Sequence, residues 1–454
     1  MGLHHLRHNT SRRGHHAVER NCGQQSRFFS ATGLFGNPGE LGGYLALGLV
    51  SLSCCLLKQE KRSRTRIFTM LVCTALMLWG IVLADSRTSW LAVGVVVSMH
   101  FVIKRTNPAK ILLPCALALF IIGIGLFYYR PVSAFVRLQT WEVCGSMFGD
   151  ALFWGNGTGS FQRLYMDYQT SFLERADSFT RKGADDVFVA YNEFIEYAVE
   201  QGIVGLCLLM ALLTCVVISL WKERGSSNGR YVLYLLLCAC TLAMFSYPAS
   251  VPSIYVPLIV VLALTPPIGV MEKDRNFMVA SAIPSIVFLA FCFTCNVSFW
   301  RHYDRYVNLE ERPFNLSADT PVSWYVRHHP TFLSLLADSQ ILIGDHTATI
   351  TACRLLVAYQ NYSQWYMSLG DAYTETGNFR ESDTCYERVC KMRPGLMEPF
   401  YARFSVWSEI DPKQAIGLAR HICVMHAKIE NTSTQNMRKV AASYLRNKNM
   451  DRSH

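Results

Sequence analysis

Apolar residues along this chain fall into long uninterrupted runs rather than the alternating or one-faced patterns of a soluble domain. Eight such runs stand out, at about 41–57, 67–84, 89–103, 110–129, 202–221, 230–247, 252–271 and 277–299. Most approach the ~20 residues that carry a helix across ~30 Å of hydrocarbon; the third is short, as a tilted or broken span would be. The pattern predicts an all-α polytopic membrane protein. Two stretches interrupt it. Residues 130–201 form a long polar loop between the fourth and fifth runs, and 301–454 form a tail of soluble composition. Loops this long are functional or disordered, and Trp141, Trp154, Phe161, Tyr165, Tyr168 and Phe172 argue against disorder here. The division expected is a polar leader at 1–30, a membrane domain at 31–300 with the 130–201 loop as its cap, and a helical region at 301–454.

The connecting turns set orientation. Lys58 to Arg66, Lys104-Arg105 with Lys110, Lys222 with Arg224 and Arg230, and Lys273 with Arg275 are all basic and alternate along the chain. Basic turns stay in the cytoplasm. The segment before the first run, the turn at Asp85-Ser86-Arg87, the 130–201 loop, Tyr247-Pro248 and the tail then share the opposite side, which in a bacterial inner membrane is the periplasm. The formal net charge of +10 is explained by these turns, and no nucleic-acid-binding motif accompanies it.

Other compositional signals point to no cofactor. Most of the 16 cysteines lie inside apolar runs, where a thiol behaves as a small apolar group. Cys292 and Cys295 sit within a run and lack a partner pair. The His- and Arg-rich leader has no apolar core to make it a secretory signal. Its histidines read as part of an undefined segment rather than as metal ligands.

In the tail, Tyr366, Leu369, Gly370, Tyr373, Gly377, Phe379, Ser382, Tyr386, Val389 and Pro394 match the spacing of a tetratricopeptide repeat at about 363–396. Gly370 and Ser382 would let two helices approach. One such unit cannot bury its own face, so 332–360 and 400–428 are expected to supply neighbours. Such repeats bind proteins, which makes a protein partner the expectation here.

Candidate chemistry lies on the presumed outer side. Arg87 stands at a membrane boundary, where an unpaired charge is costly. Arg137 and Trp141 are four residues apart, on one helical face. Tyr191, Asn192 and Glu193 begin the return to the membrane, with Glu193, Glu196 and Glu200 at helical spacing. Each has an ordinary reading: a snorkelling Arg, an interfacial Trp, a solvated helix face. Together the two guanidinium groups suit a lipid-linked diphosphate, because they grip phosphate oxygens and stabilise a departing anion. Glu193 is then the carboxylate placed to take a proton from an attacking hydroxyl; Asp185 and Asp186 are less well placed.

The order of these pieces resembles the O-antigen ligase and polymerase family of the bacterial envelope. The matching segments are Thr32-Gly33-Leu34-Phe35-Gly36-Asn37-Pro38, Asp85-Ser86-Arg87-Thr88-Ser89-Trp90, Arg137 with Trp141, Trp154 to Phe161, and Tyr191 to Gly205. The resemblance covers about 28–265, and its pairing with a tetratricopeptide-like tail is similar to Bacteroidetes-type versions. It implies metal-independent transfer of a glycan from undecaprenyl diphosphate to a lipid A-core sugar, or to another lipid-linked unit in a polymerase. In that implication Arg87 and Arg137 contact the diphosphate, and Asn192 and Trp141 help bind substrate. The chain departs from the pattern twice. Tyr191 stands where many relatives have His, and tyrosine, with a reference pKa of about 10, is a poor base near neutrality. Full-length relatives also have spans before the Phe-Gly-Asn-Pro segment, so the chain reads as truncated. A non-catalytic scaffold that recruits partners through its tail is the alternative from a different class.

Overall fold

The apolar runs fold as helices. The computed structural model describes residues 32–57, 63–104, 109–129, 131–264, 294, 297 and 329–450, and every regular element among them is helical. The described residues divide into two units, one holding 32–161 with 189–264 and the other holding 162–188 with 329–450.

In the membrane unit, α1 (Pro38–Leu57), α2 (Arg64–Ala84), α3 (Arg87–Ile103) and α4 (Ala109–Tyr129) coincide with the first four apolar runs. α5 (Pro131–Asp150) follows α4 after a bend of 104°. α8 (Glu193–Lys222), α9 (Ser227–Phe245) and α10 (Pro252–Leu264) complete the unit; α6 and α7 are described below. Local sequence sets the starts. Asn37 accepts the Gly39 N–H at 2.8 Å and Pro38 occupies the first helical position, so the Phe-Gly-Asn-Pro motif is the N-terminal signal of α1. Ser63 and Ser226 cap α2 and α9 in the same way.

α9 lies at the centre. Val232, Leu233, Tyr234, Leu235 and Leu236 are consecutive and all buried, as in a helix surrounded on every side. Ala46, Leu49 and Val50 of α1, Ile81 of α2 and Ala92 and Val96 of α3 pack with its Tyr234, Leu235, Cys238 and Leu242. The outer faces carry exposed Phe68, Leu76, Trp79, Phe120, Ile121 and Leu212, a surface suited to lipid rather than water. Among the described residues four helices, α1, α2, α8 and α9, are long and apolar enough to cross a membrane, or five if α4 and α5 form one bent span. That is fewer than the eight expected. α3 has 17 residues, a rise of about 26 Å. α10 is described only to Leu264, and nearly all of the eighth run, with the 1–30 leader, lies outside the described residues.

The second unit is built from helical hairpins: α11 (Pro330–Ile343) with α12 (His346–Leu356), α13 (Ser363–Glu375) with α14 (Phe379–Met392), and α15 (Met397–Ile410) with α16 (Pro412–Val424), followed by α17 (Thr432–Met450). Gly344 and Gly377 turn the first two at φ +78° and +79°, a conformation that favours glycine. A Cβ on Gly370 would run into the Tyr386 ring, which is the close approach anticipated from small residues in this hairpin. The loop segment 162–188 belongs to this unit. It carries most of α6 (Ser160–Arg175) and all of α7 (Ser178–Gly183).

Candidate functional site

The returning helix of the loop is broken where it meets the membrane. Gly202 in α8 has φ +66° and ψ −171°, a region open essentially to glycine alone. The break removes two helical hydrogen bonds, and the glycine turn after α5 replaces both. The Val199 carbonyl accepts Asn156 N–H at 3.0 Å and Asn156 Nδ2 at 3.1 Å; the Glu200 carbonyl accepts Gly157 N–H at 2.9 Å. In exchange, Ile203 N–H donates to the Leu152 carbonyl at 2.8 Å and Val204 N–H to Phe153 at 3.3 Å. Every orphaned backbone group at the break thus finds a partner, as burial demands. A Cβ on Gly155 would strike the Glu200 carbonyl, and one on Gly202 would strike the Phe153 carbonyl. The two glycine motifs are one backbone crossing. Residues 203–222 alone span about 30 Å, so 193–201 is a separate helical piece on the loop side of the membrane-crossing stretch.

That piece starts at Tyr191, one of two non-glycine residues with positive φ among the described residues, at +54°. Asn192 follows as its cap, accepting Phe194 N–H at 3.0 Å and Ile195 N–H at 3.1 Å. Its side-chain oxygen therefore starts α8. The residue before Tyr191 is clamped. Ala190 is fully buried; its carbonyl accepts Trp141 Nε1 at 2.9 Å and its N–H donates to Glu196 Oε2 at 2.9 Å. Trp141 thus holds the chain, and Glu196, not singled out in the sequence, completes the grip. Burial and the neighbouring Glu200 and Glu193 charges push the Glu196 carboxyl up to about 7, against the pull of the Ala190 N–H.

Arg87, Arg137, Tyr191 and Glu193 come together at one end of the membrane unit. Arg87, the first residue of α3, donates from Nη2 to Ser133 Oγ at 3.0 Å. Arg137 donates from Nη1 to the Phe245 carbonyl at the end of α9, at 2.9 Å, and its guanidinium lies 5.2 Å from the Tyr191 ring centre. Burial lowers the Arg137 pKa, and the Arg87 charge lowers it further, so the two cations are near enough to repel. A Cβ on Gly42 would collide with the side chains of Ser86 and Ser89, so α1 packs closely against the start of α3. Glu193 accepts the Ala249 N–H at 2.8 Å, and burial pushes its carboxyl up.

Sequence reasoning missed two further members. Tyr247 packs edge-on against Tyr191 with ring centres 6.1 Å apart, and its hydroxyl donates to Glu40 Oε1 at 3.2 Å. Burial is the main cause that pushes the Tyr247 hydroxyl's pKa up, with Glu40 adding to it. Tyr247 carried only a turn signal in the sequence and Glu40 only a helix start; nothing local tied one to the other, 207 positions away. An apolar cleft of about 220 Å³ opens between α1, α2, α9 and α10, lined by Leu47, Met77, Tyr231 and Leu258 among others. Ile254 lines both this cleft and the small recess under Glu40 and Tyr247. Asp185 and Asp186 belong to the other unit. Among the described residues no group of His, Cys, Asp and Glu side chains is arranged to hold a metal ion.

Comparison with known proteins gives one match. The family model described as O-antigen ligase covers residues 72–210, from within α2 to the middle of α8, a segment that includes Arg87, Arg137, Trp141, Tyr191, Asn192 and Glu193. No curated protein and no solved structure matches.

Proposed function

Residues 72–210 make this chain an O-antigen ligase family membrane protein, and on that premise we propose that it transfers a glycan from undecaprenyl diphosphate to a lipid A-core sugar outside the cytoplasm. The observation that carries the reading is the pair of guanidinium groups, Arg87 and Arg137, near enough that the charge of one lowers the pKa of the other. A diphosphate offers oxygens to both groups, and a guanidinium binds such oxygens with bidentate hydrogen bonds. In the transfer the acceptor hydroxyl attacks the anomeric carbon, the bond from that carbon to the diphosphate oxygen breaks, and undecaprenyl diphosphate leaves with the bonding electrons. The arginines neutralise the charge that develops on it. The hydroxyl proton goes to Glu193, whose burial gives it an affinity for protons above that of an ordinary carboxylate. Tyr191 orients the hydroxyl rather than ionising. The apolar cleft that begins beside the cluster suits part of the prenyl chain. The same cluster serves a polymerase equally well, since only the acceptor differs.

The reading puts the chain in the bacterial inner membrane with its tail in the periplasm. Loop residues 162–188 and the tail pack as one unit, which supports a shared compartment. The tetratricopeptide reading of 363–396 is supported by its helical hairpin and by its neighbours on both sides.

The test is transfer in membranes supplied with an undecaprenyl-diphosphate glycan and a lipid A-core acceptor. Arg137→Ala is expected to lower the rate by about 10²–10³, and Glu193→Gln by about 10²–10⁴. An Arg137→Ala enzyme that transfers at the wild-type rate overturns the diphosphate site; a Glu193→Gln enzyme at that rate removes Glu193 as the base. Activity with a lipid-linked glycan as acceptor, and none with lipid A-core, selects the polymerase.

A further inference from the structure

The tail's hairpins grip a piece of the same chain that precedes them by about 200 residues. Three cations of the tail meet three carboxylates of the loop segment 162–188. Arg388 Nη2 reaches Asp167 Oδ1 at 2.7 Å; Arg393 Nη2 reaches Asp185 Oδ1 at 2.6 Å, with Nη1 3.7 Å from Asp186; Lys428 Nζ reaches Asp185 Oδ2 at 2.8 Å and the Gly183 carbonyl at 2.9 Å. The start of α13 adds a specific contact. Ser363 donates its N–H to one Asp186 oxygen at 2.9 Å and its hydroxyl to the other at 2.6 Å. Backbone takes part as well: Asn361 N–H donates to the Gln162 carbonyl at 3.1 Å, and Gln169 Nε2 reaches the Met392 carbonyl at 3.4 Å. A Cβ on Gly395 would collide with the Lys182 carbonyl, so the chains touch at backbone distance. On α6 itself, Tyr165, Met166, Gln169 and Leu173 are buried, at the spacing of one helical face, while Asp167 stands beside that face.

This is the anatomy of a receptor and its ligand: an apolar helix face in the middle, paired charges of opposite sign around it, and a capped carboxylate fixing the register. We propose that the tail is a helix-binding module whose ligand is this chain's own loop, an amphipathic helix followed by an acidic turn, and that it holds the loop as a clamp. The clamped segment ends at Phe188, whose ring packs 4.6 Å from Tyr362, three positions before Tyr191. Asp186, Ser363 and Arg393 are therefore positioning residues for the stretch that carries Tyr191 and Glu193. This second half rests on the proposed glycan transfer; the clamp itself does not.

Hydrogen exchange of the whole protein in lipid nanodiscs tests the clamp. Arg388 and Asp167 are each about half exposed, so reversing them leaves no buried charge. Arg388→Glu with Lys428→Glu is expected to speed exchange of the α6 amides roughly tenfold, since each reversal turns an attraction into a repulsion, while α13 and α14 keep their protection. Adding Asp167→Arg to Arg388→Glu alone is expected to return α6 to wild-type exchange. Unchanged α6 exchange in the double variant overturns the clamp. So does equal loosening of α13 and α14, because α6 is then part of one core rather than a bound ligand. Transfer measured on the same variants is expected to fall in kcat and to return in the Arg388→Glu, Asp167→Arg exchange. Wild-type protein that shows the exchange pattern but transfers no glycan refutes the proposed activity and leaves the clamp standing.

Discussion

Gly202→Ala puts the backbone crossing to its hardest test. The position needs φ +66° with an extended ψ, and an alanine held there costs about 1–3 kcal/mol in backbone strain. The added methyl meets the Phe153 carbonyl and the Gly155 nitrogen. Neither is the tip of a flexible side chain, so backbone has to move, at about 1–3 kcal/mol. Movement lengthens the bonds from Ile203 to Leu152 and from Gly157 to Glu200, each worth about 1 kcal/mol. The sum is about 4–8 kcal/mol, a large part of the ~5–15 kcal/mol that holds a typical domain. Gly149→Ala is the control. Gly149 is exposed within α5, and a Cβ there meets nothing within 4 Å, so alanine should gain about 0.5–1 kcal/mol from helix propensity. Both are read by denaturant unfolding in lipid nanodiscs. A Gly202→Ala midpoint within error of Gly149→Ala refutes the crossing as an energetic feature. A low midpoint rescued by replacing the helix piece with a straight, glycine-free one refutes it equally, because the break would then be dispensable.

Three further outcomes follow from the same geometry. Trp141→Phe removes the donor to the buried Ala190 carbonyl and should cost about 1–3 kcal/mol in unfolding free energy, whereas Phe179→Leu at an exposed site should stay within about 0.5 kcal/mol. Glu196 has a folded pKa of about 7, above its ordinary 4.5. The folded state therefore binds the extra proton, and this group's contribution to stability falls as pH rises from 4.5 to about 7, by up to about 3 kcal/mol; Glu196→Gln should flatten that slope in pH-dependent unfolding. Tyr247→Phe removes the hydroxyl that meets Glu40 and leaves the ring against Tyr191. It should lower transfer about tenfold or less while the unfolding midpoint moves by only about 1 kcal/mol.

The apolar runs by themselves determined where the membrane helices lie, because covering ~20 residues of backbone in hydrocarbon leaves few alternatives to a helix. α1, α2 and α9 sit within a few residues of the expected runs. Local capping chemistry was equally legible: Asn37-Pro38 and Asn192 begin helices for reasons contained in two or three residues. Arg87 and Arg137 could be singled out as candidates for one site from charge at a membrane boundary and from a shared side. What each residue does there was decided by tertiary structure. Tyr247 and Glu40 entered the site through a contact between distant segments, Glu196 through the Ala190 N–H just ahead of its helix, and Asn192 caps that helix. The glycine turn at 155–157 stood in the sequence only as one matching segment and is the partner of a helix break 47 residues from Gly155. Asp185 and Asp186 were weighed as catalytic carboxylates and are bound by Arg393, Lys428 and Ser363 of the tail. Periodicity and caps depend on neighbours three or four positions away, so sequence shows them directly. Which carboxylate meets which cation depends on how two distant helices dock, and one chain's composition holds no trace of that choice.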